Sequence, residues 1–189
     1  MIRILTNTDF AKLEHVLPSL DRKHQAIFAI LMYCGLRVGE LVLLRYSDLI
    51  CQAGTAKEIH VRASTAKTGV GRFVPIPKKG SDPVTLYMNT SSMKGSQWLP
   101  EYFLFPGTGS REWMSVHGVE QLVARVCLRI LQRHATPHTL RHTYATRLLR
   151  FSNTREVQIL LGHKKLSSTE IYTHPSTQDL KNSVDKAFK

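Results

Sequence analysis

The sequence predicts a mainly α-helical fold with a small antiparallel β-sheet, and three observations carry that prediction. Apolar residues recur at helical spacing over most of the chain, most clearly in 115–131, where Val119, Leu122, Val123, Val126 and Ile130 share one face. Strict alternation is confined to two short runs, Glu58-Ile-His-Val-Arg62 and Arg72-Phe-Val-Pro-Ile76. Gly69 and Gly71 separate these runs, so they pair as a hairpin.

Taken in order, Thr6-Asn-Thr-Asp9 makes a capping box, with Asp standing where Glu is commoner, and opens a helix to about Val16 that Pro18 ends. Asp21 caps a second helix through Tyr33, with Ile27, Ile30, Leu31 and Cys34 at helical spacing, and Gly35 stops it. A short third helix from Val38 to about Leu44 follows at once, which puts Arg37 in a tight helix-to-helix corner. In the hairpin, Pro75 and Pro77 make the second strand an edge or its end, and Lys67 lies on or beside the connecting turn. Residues 78–114 are the least legible part, rich in Gly, Ser and Pro, with Trp98, Tyr102, Phe103 and Phe105 as expected core anchors.

After the amphipathic helix to Leu131, Pro137 sits in the first turn of a helix carrying His138, Arg141, Tyr144, Ala145 and Leu148. A further helix from Thr154 to Leu161 stops at Gly162, and Ser167 or Ser168 caps a short one bearing Tyr172. Past Pro175, Leu180, Val184 and Phe188 recur every four residues as a one-sided tail helix. The expected organisation is one domain over 1–175 and a tail helix over 176–189.

At 189 residues the chain is long enough to bury its own core. Its 26 Lys+Arg against 14 Asp+Glu give a formal charge of +12, the footprint of a polyanion partner. Cys34, Cys51 and Cys127 are odd in number and lack metal-type spacing, so they are expected to be reduced thiols. The apolar run 26–34 is too late for a signal peptide and too short to span a bilayer, so with reduced thiols a cytoplasmic protein is expected.

His138 and Arg141 stand three apart on a helix and so project from one face. A guanidinium matches two phosphate oxygens better than an ammonium, because its planar donors are rigid and permanently charged. Arg37, in its corner, has the same potential, and Glu40 nearby is suited to orient Arg37 or cap the turn rather than to do chemistry. No carboxylate partner for either arginine is obvious. Singly, each of these residues, like Lys67, His163 and Tyr172, also fits an ordinary surface or core role. His134, His138 and His142 are four apart, as helix-borne zinc ligands can be, but Pro137 starts the helix and leaves His134 outside it. No HExxH motif or Cys–Cys pair is present, and no metal or other cofactor is expected.

The boxes Gly35-Leu-Arg-Val-Gly-Glu-Leu, a hairpin Lys, His138-Thr-Leu-Arg-His, Leu161-Gly-His and Ile171-Tyr-Thr-His occur in the order and spacing of the tyrosine recombinase (phage integrase) family, which the chain resembles from Thr6 to about Pro175. Thr65-Ala-Lys-Thr-Gly-Val-Gly-Arg-Phe-Val-Pro-Ile resembles that family's hairpin, which gives Lys67 the catalytic lysine position, with Lys57, Lys78 and Lys79 nearby. The resemblance implies the family's DNA breaking-and-rejoining fold and site-specific recombination through a 3′-phosphotyrosyl intermediate, without metal or ATP. Tyr172 would be the nucleophile, Arg37 and Arg141 the phosphate grip, and Lys67 the acid for the 5′-oxygen. His138 would assist proton transfer from the tyrosine, His163 would donate to a phosphate oxygen, and His142 would serve packing or support the residues that touch the phosphate. The implied partners are double-stranded DNA sites, other copies of the chain as dimer or tetramer, and accessory DNA-bending proteins.

Most integrases carry an N-terminal helical domain that closes a clamp on DNA; the expectation is that this core-binding domain is absent here, the chain being either a piece of a longer protein or a naturally short enzyme like the fimbrial phase-switching recombinases. The apolar stripe of the tail has no obvious partner, and is expected to dock on a neighbouring protomer or fold back over the site. Three other readings are a DNA-binding regulator of the same fold without strand exchange, a type IB topoisomerase-like enzyme, and a metal-dependent nuclease or transposase, the last disfavoured because no carboxylate cluster is visible.

Overall fold

The computed structural model describes residues 4–92, 100–162 and 175–189. Within them the chain is mainly helical with one small antiparallel sheet, as expected. Helix α1 (Asn7–Val16) begins at the Thr6–Asp9 box, with both reciprocal bonds formed, and gives way to a 3-10 turn containing Pro18. Helix α2 (Arg22–Tyr33) starts at Asp21, whose side chain accepts from the His24 N–H. From Gln25 to Tyr33 every residue of α2 is buried. A helix apolar on all sides belongs at the centre of a domain, and α4 (Lys78–Ser92), α6 (Pro137–Leu148) and α3 (Val38–Val42) all pack against it. Each fully buried Leu or Ile there contributes about 1.5–3 kcal/mol of apolar burial.

The sheet has three strands rather than the expected two. β1 (Leu49–Gln52) pairs with β2 (Thr55–Val61), and β2 with β3 (Arg72–Pro75), all antiparallel. The first strand was hidden because it is only four residues long, has a single buried side chain and is bulged between Ile50 and Cys51. As the prolines required, β3 is an edge, with Pro75 opposite Glu58. Ala56, Ile59, Val61 and Val74 face the core, while Phe73 stacks on His60 at 4.6 Å on the outer face.

Helix α4 opens the stretch 78–114 that was least legible in the sequence. Gly80 and Pro83 mask it in sequence, since both are poor helix formers. Tertiary contacts override them: Val84 and Tyr87 are buried, and the Ser81 hydroxyl donates to the Ala56 carbonyl at 2.5 Å. Of the expected aromatic anchors, Phe105 is buried, Phe103 is half-buried against Trp113, and Tyr102 is instead 44% exposed; Trp98 lies outside the described residues.

Helix α5 (Val116–Leu131) buries Val119, Leu122, Val123 and Val126, and ends at Gln132 in the left-handed region. Helix α7 (Thr154–Leu161) runs from an Asn153 cap to Gly162 at φ +63°. Helix α8 (Thr177–Ala187) settles where the tail stripe goes. Leu180, Val184 and Phe188 are buried in this chain's own core, with the Phe188 ring stacked on Tyr144 at 5.4 Å and edge-on to Tyr33 at 5.6 Å. Within this chain the stripe packs on the aromatic pocket between α1, α2 and α6 rather than over the expected site. Cys34, Cys51 and Cys127 are all free thiols. No described helix is long and apolar enough to cross a membrane.

Candidate active site

The site is built on the corner between α2 and α3. Gly35 adopts φ +61°, and a Cβ there would meet the Tyr144 ring at 2.3 Å, so the corner can close on α6 only with glycine. Arg37 follows in extended backbone as the first residue before α3. The third helix ends at Val42, two residues earlier than its sequence suggested.

Glu40 is the electrostatic centre of this corner, at 2% exposure. Its Oε2 accepts from the Arg37 backbone N–H at 2.9 Å and its Oε1 from the Arg37 guanidinium at 3.2 Å. Both roles foreseen for Glu40 are therefore present. The larger partner was not foreseen: Arg72, itself 6% exposed, donates to Oε1 at 3.0 Å and to Oε2 at 2.8 Å. Burial alone would raise the Glu40 pKa, but the Arg72 hydrogen bonds and charge, with Arg37 and Arg141 beyond, bring it below the usual carboxylate range. Arg37 thus has Glu40 as a carboxylate partner. Arg141 is at 4.0 Å from the same carboxylate, which is charge proximity rather than a hydrogen bond.

On α6, the Thr136–Thr139 capping box and Pro137 fix the first turn, so His138 and Arg141 leave one face as predicted. Arg141 is buried and donates to the Gly35 carbonyl at 2.6 Å and to the Leu161 carbonyl at 2.7 Å. Burial and the neighbouring Arg37 push its pKa down to about 10, which leaves it charged at neutral pH. Arg37 also donates to the Leu161 carbonyl, at 3.2 Å. Two guanidiniums from distant parts of the chain converge on a single oxygen.

His138 is exposed, and its Nε2 lies 2.7 Å from Nε2 of His142, the rings crossing edge-to-face. Burial, His138 and Arg141 together lower the His142 pKa. His134 falls outside α6, as Pro137 demanded. No group of three or more His, Cys, Asp or Glu among the described residues is arranged to hold a metal ion. Lys67 is exposed in the 62–71 connection between β2 and β3.

Arg37, Glu40, Lys67, His138 and Arg141 all line one cavity of about 600 Å³, walled also by Leu36, Val38, Gly39, Leu43, Thr65, Glu120, Thr136 and Pro137. Four of the six predicted catalytic residues are thereby brought together. The other two, His163 and Tyr172, lie outside the described residues. The chain has six tyrosines, and none of the five described ones lines the cavity. Tyr33 and Tyr144 are buried, with burial pushing both phenols well above their ordinary range. Of the charged residues of this region, Arg72 and Glu120 escaped the sequence reading as site residues. Arg72 carried a usable signal, sharing strand parity with the inward Val74; Glu120, exposed on α5, carried none.

Comparison with known proteins decides the family. The model of the phage integrase family matches residues 3–179. The chain belongs to the phage integrase family. Among its relatives, the tyrosine recombinase XerA of Thermococcus kodakarensis is 32% identical over 193 residues, an alignment covering 98% of this chain and 62% of that protein. The crystal structure of XerA recombinase superposes with a TM-score of 0.73 at 28% identity, over 100% of this chain and 66% of that one. XerH site-specific recombinase, bound to its difH substrate before cleavage, shares the fold with a TM-score of 0.69 at 20% identity, over 93% of this chain and 51% of that one. The chain thus spans little more than half to about three fifths of the length of the curated integrase-family relatives it matches.

Proposed function

We propose that this chain is the catalytic module of a site-specific recombinase that cleaves and rejoins DNA through a 3′-phosphotyrosyl intermediate. The observation that carries the proposal is the convergence of Arg37 and Arg141 on one oxygen, the Leu161 carbonyl, at 3.2 and 2.7 Å. Guanidiniums pre-aimed at one oxygen are placed to hold the non-bridging oxygens of a phosphodiester in the adjoining cavity. Their charge offsets what gathers on pentavalent phosphorus, and removing one such donor costs about 10²–10³ in rate.

Tyr172 Oη attacks the scissile phosphorus; the bond to the 5′-oxygen breaks, and that oxygen leaves as a hydroxyl with a proton from Lys67. His138 takes the tyrosine proton, and His163 donates to a phosphate oxygen. The phosphotyrosyl bond keeps the energy of the phosphodiester, so a 5′-hydroxyl from a partner strand reverses the step without ATP. Motif order supports Tyr172, which stands in Ile171-Tyr-Thr-His after Leu161-Gly-His as in the family, and none of the five described tyrosines lines the cavity. In sequence it follows Leu161, which both arginines hold.

The +12 charge suits double-stranded DNA, and binding is expected to weaken steeply with salt as phosphate contacts release counterions. Strand exchange needs paired sites, so self-association on DNA belongs to the proposal, as do DNA-bending accessory proteins and a cytoplasmic, nucleoid-associated location. The test is incubation in EDTA with plasmids carrying two copies of a cleaved site. Exchanged products that disappear with Tyr172→Phe support recombination. Relaxed circles without exchange mark a topoisomerase, and products only with magnesium mark a metal-dependent nuclease.

A further inference from the structure

We propose that Arg72 is a positioning residue for this chemistry: it neutralises Glu40 and thereby frees Arg37 for the phosphate, while it fixes the point from which the chain departs toward His163 and Tyr172. The inference rests on the recombinase reading above and adds to it a residue outside the cavity lining.

Arg72 uses all its guanidinium edges. Nη1 and Nη2 grip the two oxygens of Glu40 at 3.0 and 2.8 Å, and Nε donates to the Leu160 carbonyl at 2.7 Å. Its side chain is 4% exposed and lies behind the site, so it is placed to touch protein rather than DNA. Leu160 belongs to the last turn of α7, where carbonyls lack helical partners and attract cations. Next along, Gly162 passes so close that a Cβ would meet Arg72 Nη1 at 2.8 Å. Arg72 is therefore both the counter-ion of the corner and the seat of the α7 terminus, and Arg37 and Arg141 fasten the same turn through Leu161.

Charge bookkeeping makes the role specific. Three guanidiniums, of Arg37, Arg72 and Arg141, surround the one carboxylate of Glu40. With Arg72 satisfying both carboxylate oxygens, Arg37 keeps only a 3.2 Å side-chain bond to Glu40 and can turn to a substrate oxygen. Without Arg72, a buried carboxylate at 2% exposure would draw Arg37 and Arg141 inward, since an unpaired buried charge is costly. Sequestering the phosphate grip slows chemistry more than it weakens DNA binding, which is spread over many phosphates.

The experiment uses the full chain and a library of nicked duplexes randomised on both sides of the nick, from which the native protein selects a cleaved sequence as covalent adduct. Single-turnover cleavage and DNA affinity are then measured on that sequence for the native chain, Arg72→Met and Arg72→Lys, and the double variant Glu40→Gln/Arg72→Met. Arg72→Met is expected to cleave about 10²-fold more slowly, the scale set by a misplacement of about 1 Å at a reacting centre, with affinity within about twofold. The double variant, lacking the orphan charge, is expected to recover at least about tenfold of that loss. A methylphosphonate at the scissile position, which removes one phosphate charge, is expected to shrink the Arg72→Met defect, a response that loss of folding alone would not give. Should Arg72→Met not fold, Arg72→Lys decides, because an ammonium keeps the charge but cannot span both Glu40 oxygens and Leu160. Native-rate cleavage by the folded variant, or a defect that neither Glu40→Gln nor the methylphosphonate changes, overturns the inference alone. No adduct from the native chain overturns the recombinase reading and this inference with it.

Discussion

Arg141 donates to the carbonyl oxygen of Gly35 across 2.6 Å, joining residues 106 apart in sequence. That bond ties α6 to the corner before α3, and so sets the distance between the two arginines of the cavity. It forms only because Gly35 takes φ +61° and lets the Tyr144 ring lie where a side chain would be.

Gly35→Ala should therefore fail twice, through the left-handed backbone and through a Cβ placed 2.3 Å from Tyr144. The expected loss of stability is at least about 3 kcal/mol, read as a shift of the urea midpoint. A variant as stable as the native chain would mean that the corner can reach Arg141 by another path.

Glu40 links stability to pH. Its folded pKa lies below its ordinary value of 4.5, since the Arg72 bonds and charge overcome the opposing effect of burial. A depressed carboxylate contributes stability that is fully present above the unfolded pKa and lost as pH falls through the folded one. Urea midpoints measured from pH 6 downward should fall below about pH 4.5, and Glu40→Gln should flatten that fall. Glu40→Ala, which strands Arg72, is expected to cost about 3–5 kcal/mol at neutral pH.

Lys67 stands in the cavity but is exposed in a connection between strands, so its removal should cost rate rather than fold. Lys67→Ala is expected to slow cleavage by about 10²–10⁴-fold with an unchanged melting temperature. Replacing the 5′-bridging oxygen of the scissile bond by sulfur supplies a leaving group that needs no acid. The Lys67→Ala defect should largely vanish on that substrate, whereas the defect of Arg141→Ala should persist. A Lys67 defect unchanged by sulfur would move the acid role to another lysine.

The tail is a structural element in this chain. Phe188 is 3% exposed among Phe10, Tyr33 and Tyr144, and Arg147 lies over the Phe10 ring at 4.2 Å. Phe188→Ala should cost about 3–5 kcal/mol in a denaturant titration. A cost under about 1 kcal/mol would mean that the aromatic pocket can close without it.

Much of this was legible in the sequence, and the failures have physical causes. Caps announced themselves at Thr6 and Asp21, because each holds a free helix N–H, and such bonds depend on neighbours in sequence. Arg37, His138 and Arg141 were legible as a set through their motif order, and the structure gathers them with Lys67 around one cavity. Helix α4 was missed because its support comes from Ala56 and from α2, partners that no local pattern names. Arg72 was missed for the same reason: its partners Glu40 and Leu160 lie 32 and 88 residues away. The tail stripe was seen, but its partner on α2 and α6 was not, since complementarity between helices is a property of the fold rather than of the helix.

The central claim is that cations of the protein, rather than a metal, hold a phosphate for attack by Tyr172. Covalent capture tests it most directly: the native chain and Tyr172→Phe are incubated in EDTA with nicked suicide duplexes, and the products are resolved before and after protease. The account predicts a protease-sensitive adduct on the 3′-phosphate side, with a free 5′-hydroxyl released, from the native chain alone, while Tyr172→Phe still binds the DNA. An adduct that survives in Tyr172→Phe, or cleavage that appears only when magnesium is restored, would contradict it.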